Sequence, residues 1–163
     1  MGQGAGRPTI RRRLTLFALT ALLAGCSRSE RDDQPAGETG APYVKAHSLQ
    51  QLMVTVIEPD AQVFWRSSGA VSDNGGAHDL APTTAEGWAA AQSSAATVAE
   101  TGNLLMLPSY SHDRGPDWIG FAQDLVQVGR QAERAADARD EDAMFVAGSK
   151  LSEACSACHK AYL

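Results

Sequence analysis

The chain ends in a stretch that decides both its predicted fold and its predicted chemistry: Cys155-Ser156-Ala157-Cys158-His159-Lys160-Ala161-Tyr162-Leu163. Two thiols three positions apart on a helical turn lie on one side of the helix, and each can form a thioether with a haem vinyl group. The adjacent His159 can then present its imidazole to the iron as an axial ligand. The Cys-x-x-Cys-His pattern therefore predicts one covalently attached haem c, held by Cys155, Cys158 and His159.

The cysteine pair has two other interpretations, a thiol redox pair and half of a zinc site. A redox pair of the thioredoxin type stands near a βαβ pattern, and the sequence has none. A structural zinc site needs four ligands, and no second cysteine pair supplies the other two. Both alternatives are therefore less favoured than haem attachment.

The beginning of the sequence is typical of an export signal. Four arginines, at positions 7, 11, 12 and 13, precede a short apolar run at 14–25 that ends in small residues. The run is too short and wrongly flanked for a membrane-spanning helix. Its ending, Leu23-Ala24-Gly25-Cys26, resembles a bacterial lipobox, which implies cleavage before Cys26 and lipidation of its thiol. The alternative is ordinary signal cleavage, with Cys26 left free or removed.

These features divide the chain into three parts. Residues 1–25 are the predicted lipoprotein signal peptide, and residues 26–44 are a polar, Gly- and Pro-containing tether that follows the lipidated Cys26. Residues 45–163 are long enough for one folded cytochrome domain. The predicted location is the periplasm, with the protein anchored to a membrane by its N-terminal lipid. Export also agrees with haem c, which bacteria attach on the outer side of the inner membrane.

The mature chain is acidic. Four of the 14 basic residues and none of the 19 acidic residues lie in the signal segment, so the remaining chain has a formal charge of −9. An acidic surface argues against nucleic acid as a partner. It favours electrostatic steering toward a basic redox partner protein. The alternative is that the acidity only aids solubility.

Apolar spacing in the folded part predicts four helices, at about 46–66, 84–107, 116–138 and from 141 through the cysteine motif. Pro59 predicts a kink or break in the first helix, and residues 67–82 are predicted as a loop. Thr83 is the expected N-cap of the second helix, with Glu86 reaching back to it, and Asp140 is expected to cap the fourth.

Short connections between the later helices predict antiparallel neighbours. The expected fold is therefore all-α: an antiparallel up-down-up-down four-helix bundle with the haem at the C-terminal end of the fourth helix. In this topology His78 lies at the opposite end. Met144 is fifteen positions before His159, which is about 22 Å along a helix and too far to reach the iron.

Four residues are left as candidates for the second axial ligand: Met53, Met106, His47 and His112. Met53 stands one to two turns into the first helix, on its apolar face, and a thioether ligand would raise the reduction potential. The alternative is that Met53 only fills the core. Met106 is expected to pack, His47 and His112 are expected to be exposed, and Trp118 is expected to border the haem.

Residues 45–163 resemble cytochrome c′ and its relatives. The resemblance is carried by the motif at the end of the last helix, by Tyr162 three positions after His159, and by Met53. The runs Leu52-Met53…Pro59…Trp65 and Gly102-Asn103-Leu104-Leu105-Met106 are similar to an exported subgroup of that family. One departure is Leu163, where the family often has a basic residue.

The resemblance implies His159 as the proximal ligand and a distal site facing the first helix. In cytochromes c′ an apolar side chain blocks that site and the iron binds nitric oxide or carbon monoxide, and the proteins often form homodimers. In the related six-coordinate bundles a methionine of the first helix ligates the iron and the protein carries electrons.

Two functions are therefore open. One-electron transfer is preferred, because Met53 is a competent ligand at a reachable depth. The alternative is a five-coordinate haem protein that binds nitric oxide or carbon monoxide. An enzyme is not expected, since no acid/base pair and no nucleophilic constellation can be placed near the iron.

Overall fold

The computed structural model of the chain describes residues 43–163. The predicted signal peptide, Cys26 and the tether up to residue 42 lie outside the described residues. Helices account for most of the described part, and one small two-stranded sheet joins them. This composition is compatible with the predicted all-α fold. Within residues 43–163 no helix is both long and apolar enough to cross a membrane.

The helices follow the apolar spacing of the sequence closely. The first helical segment consists of α1 (Leu49–Leu52), a π-helical turn (Met53–Ile57) and α2 (Glu58–Trp65). It is followed by α3 (Ala85–Met106), the short α4 (Pro108–Ser111), α5 (Asp117–Asp137) and α6 (Glu141–Tyr162). All four predicted helices are confirmed to within a few residues, and α4 lies in the connection between the second and third of them.

Pro59 explains the π-helical turn. Proline has no N–H to donate to the carbonyl of Thr55, and its ring would crowd that carbonyl in a regular α-helix. The backbone widens directly before it, where the N–H of Glu58 donates to the carbonyl of Met53, five positions back. The predicted interruption at Pro59 therefore takes the form of a π turn, and the helical segment continues through it.

The π turn adds one residue to the segment while keeping one face buried. Leu52 directly before the turn, Ile57 at its end and Phe64 in α2 are all buried and face the core. In an uninterrupted α-helix Leu52 would stand about 140° from Ile57 around the axis, whereas one extra residue reduces this to about 40°. The widened turn thus brings both halves of the segment onto the same core.

The helix caps agree with the sequence in one case and differ in another. Asp140 caps α6, since its carboxylate accepts the N–H of Ala143 at 2.9 Å. The predicted cap at Thr83 was wrong by one position: Thr84 is the N-cap of α3, and its hydroxyl oxygen accepts the N–H of Gly87 at 3.1 Å. Glu86 therefore occupies the second position of α3 and cannot complete a capping box.

A capping box does occur at the start of the first segment, which the sequence analysis had not identified. The hydroxyl oxygen of Ser48 accepts the N–H of Gln51 at 3.1 Å, and the Gln51 side-chain oxygen accepts the N–H of Ser48 at 2.9 Å. This arrangement satisfies two of the backbone donors that a helix start leaves free.

Residues 67–82, predicted as a loop, contain a β-hairpin. Strands β1 (Ala70–Asp73) and β2 (Gly76–Asp79) pair antiparallel, with Ala70 opposite Asp79. All eight strand residues are exposed, so the alternation of apolar and polar residues that marks a half-buried strand is absent. The Asn74-Gly75 dipeptide between them is the signal that could have revealed the hairpin.

Helices α3 and α5 run antiparallel in very close contact. A β-carbon on Gly102 would stand 2.9 Å from the carbonyl oxygen of Ala122. Near the other end of the pair, the Gln92 side chain donates to the Asp137 carboxylate at 3.1 Å. Helix α6 packs against α5, and α2 packs against α3 and α6. The core between these helices includes Phe64, Val98, Ala132, Met144 and Leu151, all with no exposed surface.

Candidate functional site

Helix α6 carries the whole Cys-x-x-Cys-His motif on its last turns. The helix runs without a break to Tyr162, so residues three and four positions apart lie on one face. The buried face that begins with Met144 and Leu151 continues into Cys155 and Cys158, which are half-buried, and His159 beside them is exposed. The fold therefore places both thiols and the imidazole together at one end of α6.

Both thiols are held in their protonated form at neutral pH. Burial raises the pKa of Cys155, and the nearby carboxylate of Glu58 and the thiol of Cys158 raise it further. Burial also raises the pKa of Cys158. Both cysteines are free thiols. Redox-active pairs depend on a lowered thiol pKa, so these surroundings do not favour a thiol redox pair.

Aromatic side chains fix the end of α6 that carries the motif. The ring of Tyr162 stands edge-on to Trp118, with 5.0 Å between centroids, and edge-on to Phe121 at 6.0 Å. Its hydroxyl donates to the carbonyl of Arg114 at 3.0 Å. The indole N–H of Trp118 in turn donates to the carbonyl of Leu105 at 2.7 Å. The motif end of α6 is thus tied to the start of α5 and the end of α3.

The first helical segment lies antiparallel beside α6. The indole N–H of Trp65 donates to the carbonyl of Gly148 at 3.0 Å. Four positions after Trp65, Gly69 lies beside Phe145, three positions before Gly148, since a β-carbon on Gly69 would stand 3.1 Å from the Phe145 ring. These two contacts define one antiparallel register, in which Glu58 and Cys155, each about two helical turns further along, are level with each other.

The same register can be followed beyond Glu58 and Cys155. Met53 lies five residues before Glu58 in the first segment, and His159 lies four residues after Cys155 in α6. Met53 is half-buried and packs against the core. This register brings Met53 level with the motif.

The other candidates have the surroundings expected from the sequence. Met106 ends α3, is half-buried and packs against the core. His47 and His112 are exposed, as expected. The imidazole of His112 lies 2.7 Å from the carboxylate of Asp113.

Two residues that the sequence analysis set aside are also accounted for. Met144 has no exposed surface and fills the core. His78 lies on β2, where its ring is 3.1 Å from the Asp73 carboxylate. Trp118 was expected to border the haem, and it lies under Tyr162 at the motif end.

The motif residues fit covalently bound haem. Two half-buried thiols one helical turn apart could each form a thioether with a haem vinyl group, and the exposed imidazole beside them could bind the iron. Among residues 43–163, no three His, Cys, Asp or Glu side chains converge on a common metal position. Haem needs no such cluster, because the porphyrin nitrogens supply four ligands.

Sequence reasoning missed Phe121 and Glu58 as parts of this site. Phe121 stands three positions after Trp118 on α5, so helical spacing could have placed both rings under one partner. Glu58 has no comparable local signal, because its approach to Cys155 depends on the register between two helices that are distant in sequence.

Comparisons of the chain with protein-family models, with curated proteins and with solved structures found no match. The resemblance to cytochromes c′ therefore stays a prediction, based on the Cys-x-x-Cys-His motif, Tyr162 and Met53.

Proposed function

We propose that this protein is a c-type cytochrome that carries one electron at a time. One haem is held by thioethers to Cys155 and Cys158, with His159 and Met53 as axial ligands. The observation that carries the proposal is the register between the first segment and α6, in which the half-buried Met53 is level with the motif. When bound, the haem supplies a one-electron couple between ferric and ferrous iron.

The proposed architecture is the antiparallel up-down-up-down four-helix bundle. Its members are the first segment, α3, α5 and α6, with the haem at the C-terminal end of α6. The antiparallel pairing of α3 with α5, and of the first segment with α6, supports it.

The chain's own residues have distinct roles in this proposal. The two cysteines tether the group, and the His159 imidazole and the Met53 thioether hold the iron. The contacts of Tyr162 with Trp118 and Phe121 keep the end of α6 from moving. A fixed site suits electron transfer, because little rearrangement accompanies the change of charge.

The test is the absorption spectrum of the protein made in a host that attaches haem c. We expect covalent haem, a low-spin oxidised spectrum and the weak long-wavelength band of methionine–iron ligation. Met53→Leu, which keeps the side-chain volume, should abolish that band and lower the reduction potential. A protein with Cys155→Ser and Cys158→Ser that still held haem covalently would refute the attachment site.

A second candidate function is the binding of nitric oxide or carbon monoxide. The half-buried or buried residues beside Met53 are apolar, namely Leu49, Leu52 and Val56. If Met53 stays in the core, such a face would leave the sixth position open to a neutral diatomic ligand. A high-spin spectrum that shifts when either gas is added would favour this function over electron transfer.

We also propose that the protein is a periplasmic lipoprotein, anchored through Cys26, and that it meets a basic redox partner protein. The support is the lipobox-like ending before Cys26 and the acidic composition of the rest of the chain. Labelling with palmitate should reach the wild type and fail with Cys26→Ser. Cross-linking in low salt, with loss at high salt, would test the charged partner, and sedimentation would reveal a homodimer.

A further inference from the structure

Met53, the residue proposed as ligand, is the first residue of the π turn (Met53–Ile57), and α2, which packs against α6, follows the turn. Trp65 faces α6, because its indole N–H donates to the carbonyl of Gly148, and Glu58 precedes Trp65 in the same helix α2. They are seven positions apart, so in α2 they share one face. The start of the segment, Leu49–Leu52, is joined to α2 by the π turn.

An uninterrupted α-helix would continue that face to Val54, four positions before Glu58. Met53 would then be turned about 100° away from it. The structure has the opposite arrangement: Val54 is 60% exposed, whereas Met53 is half-buried against the core. The one extra residue that the π turn accommodates explains why Met53, and not Val54, is on the buried face.

The π turn is defined by the hydrogen bond from the N–H of Glu58 to the carbonyl of Met53, five positions back. Two features favour it over a regular turn. Pro59 cannot donate the hydrogen bond that would close a regular turn onto Thr55. The hydroxyl of Thr55 donates to the carbonyl of Gln51 at 2.6 Å, and such side-chain bonds compete with the regular backbone ladder.

We propose that the π turn, held open by Pro59, is a positioning device that directs Met53 instead of Val54 toward the cysteine-bearing face of α6. Pro59 is thus a positioning residue that acts through Met53. The proposal deepens the proposed function and rests on it for the role of Met53 as a ligand. The geometry of the turn itself can be tested without haem.

A pair of single-residue deletions tests the geometry. Deleting Val54 together with Pro59→Ala removes the extra residue and allows a regular α-helix. In that helix Leu52 and Met53 have the same angular positions around the axis, measured from Ile57, as in the wild type. We therefore expect the haem-free protein to unfold cooperatively, at a temperature close to that of Pro59→Ala alone.

The matched control deletes Val63, the other exposed valine of the segment, also together with Pro59→Ala. This deletion rotates Phe64 and Trp65 by about 100° relative to Ile57, so we expect a large loss of thermal stability or of cooperative unfolding. If deleting Val54 were as damaging as deleting Val63, the turn would not be a one-residue insertion and the proposal would be overturned.

The haem-loaded protein tests the consequence for the iron. We expect the variant without Val54 to keep the long-wavelength methionine band. The exchange Met53→Val with Val54→Met, which preserves composition and length, should keep covalent haem and helical content but lose that band. Retention of the band in the exchanged variant would overturn the proposal.

The two sets of measurements separate the two possible failures. A wild type without the methionine band would refute Met53 as a ligand, and with it the proposed function and the role given to Pro59. The deletion pair would then still decide whether the π turn orients the segment, because its thermal unfolding is measured on the haem-free protein.

Discussion

Gly129 of α5 and Ala99 of α3 are in such close contact that a β-carbon on Gly129 would stand 2.8 Å from the Ala99 nitrogen. The glycine therefore sets the distance between the two helices. We expect Gly129→Ala to destabilise the protein by about 1–3 kcal/mol, because the helices must separate or strain. Chemical denaturation would measure the change in the free energy of unfolding.

Gly120, on the same helix, is the matched control. A β-carbon there would meet no atom within 4 Å, and alanine has the higher helix propensity. Gly120→Ala is expected to stabilise the protein by about 0.5–1 kcal/mol. Effects of the same sign and size at both glycines would contradict the close packing of α3 on α5.

The N-cap of α3 gives a second prediction. Thr84→Ala removes the oxygen that accepts the N–H of Gly87 and should lower the free energy of unfolding by about 1 kcal/mol. Thr83→Ala, at the exposed position next to it, should have a much smaller effect. A larger decrease in the free energy of unfolding for Thr83→Ala than for Thr84→Ala would instead identify Thr83 as the N-cap of α3, as expected from the sequence.

The hydrogen bond between Trp65 and Gly148 joins the first segment to α6. Trp65→Phe keeps an aromatic ring but removes the donor, and we expect it to reduce the free energy of unfolding by about 1 kcal/mol. Hydrogen exchange should become faster around Gly148 and in α2, while α3 keeps its protection. If hydrogen exchange became equally faster in α3, the substitution would have lowered the stability of the whole protein, and the effect of this hydrogen bond would not be local.

The thiols make the stability of the haem-free protein depend on pH. The pKa of Cys155 lies above its ordinary value because of burial and the Glu58 carboxylate, and burial also raises the pKa of Cys158. The folded protein thus holds these protons more tightly than the unfolded chain. Their contribution to stability is complete below about pH 8.5 and is lost as the pH rises through the raised folded values.

Unfolding of the haem-free wild type and of the variant with Cys155→Ser and Cys158→Ser, measured between about pH 7 and 9.5, would test this, because both proteins have the same tyrosines and tyrosine titration cancels in the difference. The wild type should lose stability toward the alkaline end, and the variant with Cys155→Ser and Cys158→Ser should lose less. Thiol reagents should also react more slowly with the wild type than with an unfolded control at pH 8. An equal reaction rate would show that the thiols have ordinary pKa values.

Helices were predictable here because their apolar residues recur at helical spacing and their ends carry local signals. The carboxylate of Asp140, followed by Glu141 and Asp142, marked the start of α6 correctly. Adjacent threonines gave an ambiguous signal at α3, since either hydroxyl could cap, and the backbone conformation at Thr84 decided between them. The exposed hairpin carries almost no apolar pattern, so only its turn residues could have indicated it.

The candidate site was predictable to the extent that it is local. Cys155, Cys158 and His159 are nearly contiguous, so helical geometry alone groups them. The orientation of Met53 was not predictable in the same way, because regular helical spacing cannot anticipate an extra residue in the turn before Pro59. The proximity of Glu58 to Cys155 likewise follows only from how two separate helices align.

The exposed hairpin has a practical consequence. Its strands bury none of their residues, and it is joined to the molecule beside Phe145, which a β-carbon on Gly69 would approach to 3.1 Å. Phe145 precedes Cys155 by ten positions of α6, or about 15 Å. A peptide tag inserted at the Asn74-Gly75 turn would therefore give a handle for immobilising the protein on an electrode with its cysteine motif facing the solution.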